Sequence, residues 1–354
     1  MNKNDISEQL QAVVRHSAIQ KEALNITGGN SKQFYGRTSQ GEPLDVTTHY
    51  GVINYEPTEL VITARGGTPL SEIEDTLAGH HQMLPFEPPG FDGAATLGGC
   101  VATGLSGPAR PYRGAVRDYV LGTKVLNGKG EILSFGGEVM KNVAGYDVSR
   151  LMTGAMGTLG VLLEISLKVL PQPAEQITVC LEEDADEAIK TMNTLAGQPL
   201  PISAMCHIDG IIYIRLSGTS GGVNSAQYKT GGDGLENGDQ FWQSIRNHQH
   251  DFFNTGLPLW RLSVAPGTPQ LTLKGEWLLD WGGAQRWLKT ELPADDIRHA
   301  VETIDGHATL FRGNSNNADV FHPLPSALMA IHTRLKRAFD PNNILNPNRM
   351  YKEW

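Results

Sequence analysis

The chain has 354 residues, which predicts two domains or one large domain with a cap. Its 40 glycines make up about 11% of the residues, against roughly 7% in average proteins, and its charged fraction of 19% excludes a disordered chain or a coiled coil. The net charge is −9 and no block of five basic residues occurs, which excludes the electrostatic footprint of a nucleic-acid-binding protein.

The first half of the chain alternates short strands with glycine-rich turns. The N-terminal residues have apolar side chains at helical spacing, with Ser7 as the expected N-cap. Short β-branched runs between 24 and 171 predict many strands, and Asn127-Gly128 predicts a hairpin turn. Helical spacing recurs at 69–77 and 146–152, so we expect an α+β fold.

Two prolines and a change of composition at 170–176 predict a domain boundary. In the second half, residues 240–248 and 284–288 have the pattern of helices, and 210–216 that of a strand. The Gly-, Ser- and Asn-rich stretch 219–239 is typical of a mobile surface connection. A last helix is expected from Pro323 to Phe339.

The cellular setting follows from cysteines and apolar runs. Cys100, Cys180 and Cys206 are too few and too far apart for a disulfide framework, a zinc ribbon or a cysteine-ligated iron–sulfur cluster. We find no signal peptide and no apolar run of about 18 residues. These features favour the cytoplasm, with membrane contact only through partner proteins.

Three glycine-rich segments stand out, at 26–32 (ITGGNSK), 94–107 (AATLGGCVATGLSG) and 154–162 (GAMGTLGVL). Paired glycines let several backbone N–H groups converge on an anion, although a plain turn is the commoner role of such a pair. The second segment allows a flat ligand to approach the backbone, or two helices to pack tightly. Glycines at 154, 157 and 160 are too dense for a helix interior and favour a loop.

These segments, with ARGGTPLSEIEDTL at 64–77, YRGAVRDYVLGTKVLNGKGE at 112–131 and DPNNILNP at 340–347, occur in the order typical of the vanillyl-alcohol oxidase/p-cresol methylhydroxylase family of FAD-binding proteins. KNVAGYDVSRLM at 141–152 and DWGGAQRWL at 280–288 most resemble the smaller flavin-binding subunits of bacterial glycolate oxidases. The resemblance implies a two-part FAD-binding domain at 1–171, a smaller α+β cap domain at 172–320, and a C-terminal helix and tail at 321–354 that return to the first domain.

The resemblance also implies which residues hold FAD. The first loop would hold the pyrophosphate, the second would lie along the pyrophosphate and ribityl chain, and the third would contact the adenine side: Gly28, Gly29, Asn30 and Ser31; Thr96, Gly98 and Gly99; Gly157, Gly160 and Val161. Covalent members often carry histidine in the first loop, where Asn30 stands here, so we expect non-covalent FAD. Cys100 is expected to be a small buried thiol.

No metal site is expected. Metal-dependent 2-hydroxy-acid dehydrogenases of the family carry a histidine-rich motif in the second domain, whereas this chain has only Gly306-His307 in a comparable place. His248 and His250 lie in a polar stretch, and we expect them to be solvated.

Oxidation of a small 2-hydroxy acid needs a cation for the carboxylate and a proton acceptor for the hydroxyl. Arg110 and Arg113 are candidates for the first role, because a guanidinium matches a carboxylate, and either is as often a structural arginine. His307 and Tyr146 are candidates for the second.

Two functions remain open at this stage. The chain is a catalytic FAD subunit of a glycolate (2-hydroxy-acid) oxidase complex, or a non-catalytic FAD-bearing assembly or electron-relay subunit whose larger paralogue does the chemistry. Either one needs an iron–sulfur partner subunit, and partners would hold the chain at the inner face of the membrane. All six tryptophans follow residue 240, and their aromatic side chains favour a partner face in the second domain, although each is as readily a core residue.

Overall fold

A computed structural model describes residues 4–91, 93–137, 147–254, 256–313, 319–352 and 354. In this part of the chain, α-helices and strands alternate, with two short 3-10 helices at Asp251–Phe253 and Trp281–Gly283. The α-helices are α1 (Ser7–Gln20), α2 (Leu70–Ala78), α3 (Leu97–Thr103), α4 (Arg110–Arg113), α5 (Val116–Tyr119), α6 (Val148–Leu151), α7 (Ala185–Ala196), α8 (Ser220–Thr230), α9 (Gly238–Arg246), α10 (Ala294–Glu302) and α11 (Ser326–Phe339).

The strands are mostly short, as their spacing in the sequence predicts. They are β1 (Leu24–Thr27), β2 (Glu42–Asp45), β3 (Val52–Glu56), β4 (Val61–Arg65), β5 (Gln82–Met83), β6 (Val120–Leu126), β7 (Ile132–Gly136), β8 (Val161–Lys168), β9 (Leu170–Pro171), β10 (Glu175–Glu182), β11 (Ile202–Ile208), β12 (Ile211–Gly218), β13 (Asp233–Gly234), β14 (Leu259–Ser263), β15 (Glu276–Asp280), β16 (Gln285–Lys289) and β17 (His307–Arg312).

The strands form two large antiparallel sheets and two small pairs. The five-stranded sheet has the order β3-β4-β8-β6-β7, and the eight-stranded sheet has the order β13-β10-β12-β11-β15-β16-β14-β17. Strands β1 and β2 pair in parallel, β5 and β9 antiparallel. The mixture of helices and mostly antiparallel strands confirms the predicted α+β class.

The two large sheets fall on opposite sides of residue 171, where the sequence predicts a domain boundary. The C-terminal tail returns to the first part of the chain, because Leu345 bridges to Leu24 of β1. The limits 1–171, 172–320 and 321–354 themselves remain predictions.

Several local predictions are confirmed. The hairpin joins β6 and β7, with the Asn127 carboxamide oxygen accepting from the backbone N–H groups of Lys129 and Glu131. The positive φ of this turn is at Gly130. The prediction of Ser7 as the N-cap of α1 is wrong: Ile6 is the N-cap and Ser7 is the first helical residue, whose N–H donates to the Asp5 carboxylate.

Two predictions in the second half are wrong. Residues 285–288 of the predicted helix 284–288 lie in a central strand, β16, which pairs with both β14 and β15. Its polar Arg286 is fully buried because three backbone carbonyls of neighbouring loops accept its donors. The stretch 219–239 is largely helical: Thr219 caps α8, which buries Val223 against the sheet, so its glycines do not prevent a helix.

The tryptophans do not form an exposed face. Trp242, Trp260, Trp287 and Trp354 are buried, and Trp277 and Trp281 are half-buried. The expectation of a tryptophan-rich partner surface is therefore wrong, because Trp242, Trp260, Trp277 and Trp287 pack in the protein's own cores. Separately, none of the helices in the described ranges has the length and apolar character needed to cross a bilayer.

An aromatic core joins the two halves of the chain. Tyr35 and Phe91 of the first half pack in one cluster with Trp242, Trp287 and Phe311 of the second. Phe91 of this core contacts both Lys32 and His248, which line two separate cavities.

Candidate functional site

One cleft of about 250 Å³ gathers the three glycine-rich segments. Its walls are the first loop after β1, the start of α3, the loop before β8, and the C-terminal tail. All ten residues that the sequence assigns to the cofactor line it: Gly28, Gly29, Asn30, Ser31, Thr96, Gly98, Gly99, Gly157, Gly160 and Val161. Their direct contact with a cofactor stays a prediction.

The first loop presents backbone donors to this cleft. No acceptor among the described residues receives a hydrogen bond from the backbone N–H groups of residues 28–31. Asn30 has a left-handed φ of 57°, which turns the chain sharply at this point. Unsatisfied backbone donors in a tight turn form an anion-binding concavity, as a pyrophosphate requires.

Different physical reasons require glycine at different positions of the cleft. A Cβ on Gly29 would lie 1.4 Å from the Ala94 carbonyl oxygen, so this glycine allows the first loop to touch the second. A Cβ on Gly98 would lie 2.8 Å from the Gly66 oxygen, which makes it a site of tight packing. Gly98 therefore packs tightly, but against the turn after β4 and not against a second helix.

Gly99 differs from its neighbours because an added Cβ would meet only the Thr96 hydroxyl, at 3.2 Å. That hydroxyl caps α3 by accepting from the Gly99 N–H. Protein packing alone does not require a glycine here, whereas a ligand lying against the helix would.

The C-terminal tail supplies two cleft residues that sequence reasoning missed. The Asn346 side chain accepts from the Ile26 N–H at 2.7 Å and donates to the Met156 carbonyl at 2.8 Å. It thereby joins the first loop to the third. Arg349 donates to the carbonyls of Tyr35 and Arg37 and orders the chain after the first loop.

A buried ion pair holds this tail in place. The Lys336 ammonium donates to the Asp340 carboxylate at 2.7 Å and to the carbonyls of Thr158 and Leu345. Asp340 in turn accepts from two backbone N–H groups of the tail. The DPNNILNP segment at 340–347 was the signal in the sequence, although the role of the tail depends on Thr158 and Met156, more than 150 residues away.

The side chains relevant to covalent flavin attachment are Asn30 and Cys100. Cys100 is buried in α3, and burial raises the pKa of its thiol to about 11. A neutral, enclosed thiol is a poor nucleophile.

A second, smaller pocket lies at the junction of the two halves, with a volume of about 20 Å³. Charged and titratable side chains on its wall are Arg246, His248, Arg261 and Asp280, among the aromatic rings of Trp287 and Phe311. Arg246 is already paired with Glu74 and the Pro88 carbonyl. Arg261 has the Tyr35 hydroxyl at 3.4 Å and lies over the Tyr35 ring.

Burial controls the protonation of this pocket. It raises the pKa of Asp280 to about 7, although the Trp281 N–H and the Gln285 amide both donate to the carboxylate. It also lowers the pKa of His248, with Arg312 and Arg261 adding to the effect. The expectation that His248 is solvated is wrong: its ring stacks on Phe253 with centroids 4.0 Å apart, and its buried Nδ1 has no partner in the described structure.

Of the residues predicted to act on substrate, the three that the structure describes line neither cavity. The Arg110 guanidinium lies over the Trp281 ring at 4.4 Å, and Arg113 donates to the Met83 sulfur. His307 is exposed at the start of β17. Tyr146 lies outside the described residues. Their roles remain predictions.

Acidic, histidine and cysteine side chains do not gather in threes at any place in the described ranges that could hold a metal ion.

Comparisons with known proteins agree with this geometry. Residues 6–136 match the model of an FAD binding domain. Glycolate oxidase subunit GlcE of Escherichia coli K12 is 48% identical over 349 residues, which are 99% of this chain and 98% of that protein. Glycolate oxidase subunit GlcD of Bacillus subtilis is 37% identical over 102 residues, 28% of this chain and 22% of its own.

A solved structure of alkyldihydroxyacetonephosphate synthase superposes with a TM-score of 0.66, covering 97% of this chain and 76% of that one at 14% identity, which shows a shared fold. The fold is that of the p-cresol methylhydroxylase type of FAD-binding protein. Because the match to GlcE spans nearly the whole of both proteins, the chain belongs to the family of glycolate oxidase subunit GlcE, a family of FAD-dependent oxidoreductases.

Proposed function

We propose that this chain is the FAD-bearing subunit of a complex that oxidises glycolate, or another small 2-hydroxy acid, to the 2-oxo acid. One observation carries the proposal: four backbone N–H groups of the cleft meet no acceptor among the described residues, and a pocket with two guanidinium groups on its wall lies nearby, since Phe91 contacts both Lys32 of the cleft and His248 of the pocket. The glycine loops of the cleft match a dinucleotide, and the guanidinium groups at the junction match the charge of a small carboxylate.

The residues present fit FAD, because the first loop offers an anion its N–H groups and Gly99 presents no side chain to a ligand lying along α3. We infer that residues 28–31 hold the pyrophosphate, and that the tail residue Asn346 keeps the first and third loops at the spacing the cofactor needs. The flavin is held without a covalent link, supported by Asn30 in the first loop and by the neutral, enclosed Cys100. When bound, FAD supplies the two-electron acceptor.

Arg261 is the side chain that we assign to the substrate carboxylate. It lines the junction pocket, and its interactions there are with a neutral tyrosine, whereas Arg246 is already held by Glu74. A guanidinium in a half-enclosed site binds a carboxylate through two parallel hydrogen bonds.

His248 is the side chain that we assign to the substrate hydroxyl proton. His248 lines the same pocket as Arg261, its Nδ1 has no partner in the described structure, and burial lowers its pKa, so the imidazole is neutral and has a free lone pair. Oxidation of the alcohol carbon releases one hydride and one proton, and the imidazole takes the proton.

The partners follow from the family. The names GlcE and GlcD designate subunits of a glycolate oxidase. We infer a larger flavin-binding paralogue and an iron–sulfur subunit, which receives electrons from the flavin, in a cytoplasmic complex that meets the membrane only through its partners.

The test is anaerobic addition of glycolate or D-lactate to the purified, FAD-loaded chain and to the chain purified with its partners. Loss of the flavin's visible absorption in the isolated chain supports catalysis by this subunit. Loss in the complex alone assigns the chain to assembly or electron relay. No loss in either preparation contradicts the proposed function.

Two variants test the residue roles in whichever preparation reacts. We expect Arg261→Gln to raise the glycolate concentration needed for half-maximal reduction by at least tenfold, and His248→Gln to slow reduction at saturating glycolate. Arg37→Gln, which removes a guanidinium paired with Asp319 outside both cavities, serves as the control. Acid precipitation should leave FAD in the supernatant, and a yellow pellet would contradict non-covalent binding.

A further inference from the structure

Tyr35 contacts a residue on the wall of each cavity. Its backbone belongs to the turns that follow the first loop, where its N–H donates to the Lys32 carbonyl at 3.1 Å and its carbonyl accepts from Arg349 at 2.7 Å. Lys32 and Arg349 both line the cleft. The Tyr35 hydroxyl accepts from the Arg261 guanidinium at 3.4 Å, and Arg261 lines the junction pocket. Tyr35 therefore connects the two cavities directly.

The Tyr35 side chain is fixed in position by aromatic neighbours. It is 4% exposed, and its ring packs against Phe311 and Phe321, whose ring centroids lie 5.1 and 5.5 Å away. The Arg261 guanidinium lies over the same ring, 5.7 Å from its centroid. Because a close-packed interior restricts a buried ring to one arrangement, the hydroxyl presents a fixed acceptor to the guanidinium.

The hydroxyl holds Arg261 and leaves the guanidinium able to bind a ligand. A guanidinium carries five N–H donors, and the neutral Tyr35 hydroxyl accepts from one of its nitrogens. Other donors can form the two parallel hydrogen bonds that a carboxylate accepts. An arginine side chain that is held in place before its ligand arrives loses less conformational freedom on binding, so it binds the ligand more tightly.

The backbone of Tyr35 is tied to the first loop. The Gln33 N–H donates to the Asn30 carbonyl at 3.1 Å, and the bond from the Tyr35 N–H continues these turns. An anion bound by the N–H groups of the first loop restrains Asn30, and through the turns it restrains Tyr35. A ligand that makes a segment rigid lowers the cost of ordering that segment for a second ligand. Binding in the cleft should therefore favour binding at Arg261.

We propose that Tyr35 is a positioning residue, which holds the Arg261 guanidinium toward the junction pocket and ties its position to the occupied first loop. FAD and a small carboxylate then bind with positive coupling, each increasing the affinity for the other by the same factor. The substrate carboxylate is held best when the electron acceptor is already bound. This rests on the proposed function, which places FAD in the cleft and the carboxylate on Arg261.

The test measures the dissociation constant of oxalate by calorimetric titration of the whole chain, with and without oxidised FAD. Oxalate is a small carboxylate with no carbon-bound hydrogen for the flavin to remove. We expect FAD to tighten oxalate binding to the parent chain by about tenfold, within the usual range of coupling between two sites.

Two phenol variants show whether the Tyr35 hydroxyl carries this coupling. Tyr35→Phe keeps the ring and loses the hydroxyl, so the factor should fall to about twofold, since one hydrogen bond is worth about fivefold in an equilibrium constant. Tyr55→Phe is the matched control, because its hydroxyl donates to Gln82 at 2.9 Å and Tyr55 lines neither cavity. It should keep the parent's coupling factor.

A double-mutant cycle shows whether Tyr35 acts through Arg261. With FAD present, Arg261→Gln alone should weaken oxalate binding by about tenfold or more, because hydrogen bonds from a charged group are lost. Adding Tyr35→Phe to Arg261→Gln should change the oxalate affinity no further. A further loss in the double variant would show that Tyr35 acts elsewhere and would overturn the proposal.

Two more results would overturn it. One is an oxalate affinity of the parent chain that does not depend on FAD. The other is a coupling factor in Tyr35→Phe equal to that of the parent, even with weaker binding overall, which is what a merely structural role gives. A parent chain that binds no FAD overturns both this proposal and the proposed function. A chain that shows the coupling, but whose flavin no 2-hydroxy acid reduces alone or in the complex, contradicts the proposed function and supports the role of Tyr35.

Discussion

Asn346 is the tail residue whose removal should separate the loops of the FAD cleft. Its side chain makes two hydrogen bonds, to the Ile26 N–H and the Met156 carbonyl, and it is 6% exposed. Asn346→Ala leaves both backbone groups without these partners. Each unsatisfied buried group costs about 1–3 kcal/mol, and the Ile26 N–H should cost near the lower end of that range because Ile26 is half-buried. The free energy of unfolding should therefore fall by about 2–4 kcal/mol.

The assay has two readouts. Since 1 kcal/mol shifts Tm by roughly 2–4 °C in a protein somewhat smaller than this, a loss of about 2 kcal/mol should lower the Tm of the apo protein by roughly 4–8 °C. FAD must also order the separated loops on binding, and a cost of about 1.4 kcal/mol raises its Kd tenfold.

The same tail provides a matched control. Asn342 donates one exposed hydrogen bond, to the Ala18 carbonyl, so Asn342→Ala should cost less than about 1 kcal/mol and leave FAD affinity unchanged. Asn346→Asp keeps the acceptor for Ile26 but adds negative charge to a cleft that must hold an anion, so its FAD affinity should fall further than its Tm. If Asn346→Ala and Asn342→Ala share the same Tm and FAD Kd, the reasoning about this tail is refuted.

Two further predictions follow from burial and close packing. Gly98→Ala should destabilise the apo protein by about 1–3 kcal/mol, because the new Cβ would lie 2.8 Å from the Gly66 oxygen. Gly99→Ala should leave the stability of the apo protein unchanged or raised, while weakening FAD binding. Thermal melts and FAD titrations that show the reverse pattern would contradict this prediction. In the folded protein the pKa of Asp280 is about 7, so its carboxyl stays protonated between about pH 4 and 7, whereas the same carboxyl in the unfolded chain ionises near pH 4. The free energy of unfolding should therefore fall by about 4 kcal/mol as the pH rises through this range, and then level off. Urea unfolding between pH 5 and 8 should show a clearly shallower fall in Asp280→Asn, and equal slopes in the two proteins would disprove the protonated carboxyl.

Local chemistry explains what could be predicted. The Asn127 hairpin and the loop around Gly157 are visible in the sequence, since a turn or a positive φ demands particular residues whatever surrounds them. The cofactor loops belong to the same class, because close approach of two backbones requires glycine at fixed positions such as Gly29.

Other features depended on neighbours that no local pattern reveals. Residues 284–288 have a helical pattern but lie between two strands, and Arg286 is buried there only because distant loop carbonyls accept its donors. His248 lies in a polar stretch, yet the fold stacks it on Phe253 and against Trp287. In both cases tertiary packing outweighed local composition.

The amino-acid sequence by itself determined the α+β class, the short strands of the first half and the glycine segments that wall one cleft, because turn and strand preferences act over a few residues. Only the tertiary structure decided which side chains meet the cleft and the junction pocket. Asn346 reaches Ile26 across 320 positions, and Arg261 meets Tyr35 across 226. Such contacts are fixed by how the sheets and the tail pack together, and packing depends on the whole chain at once.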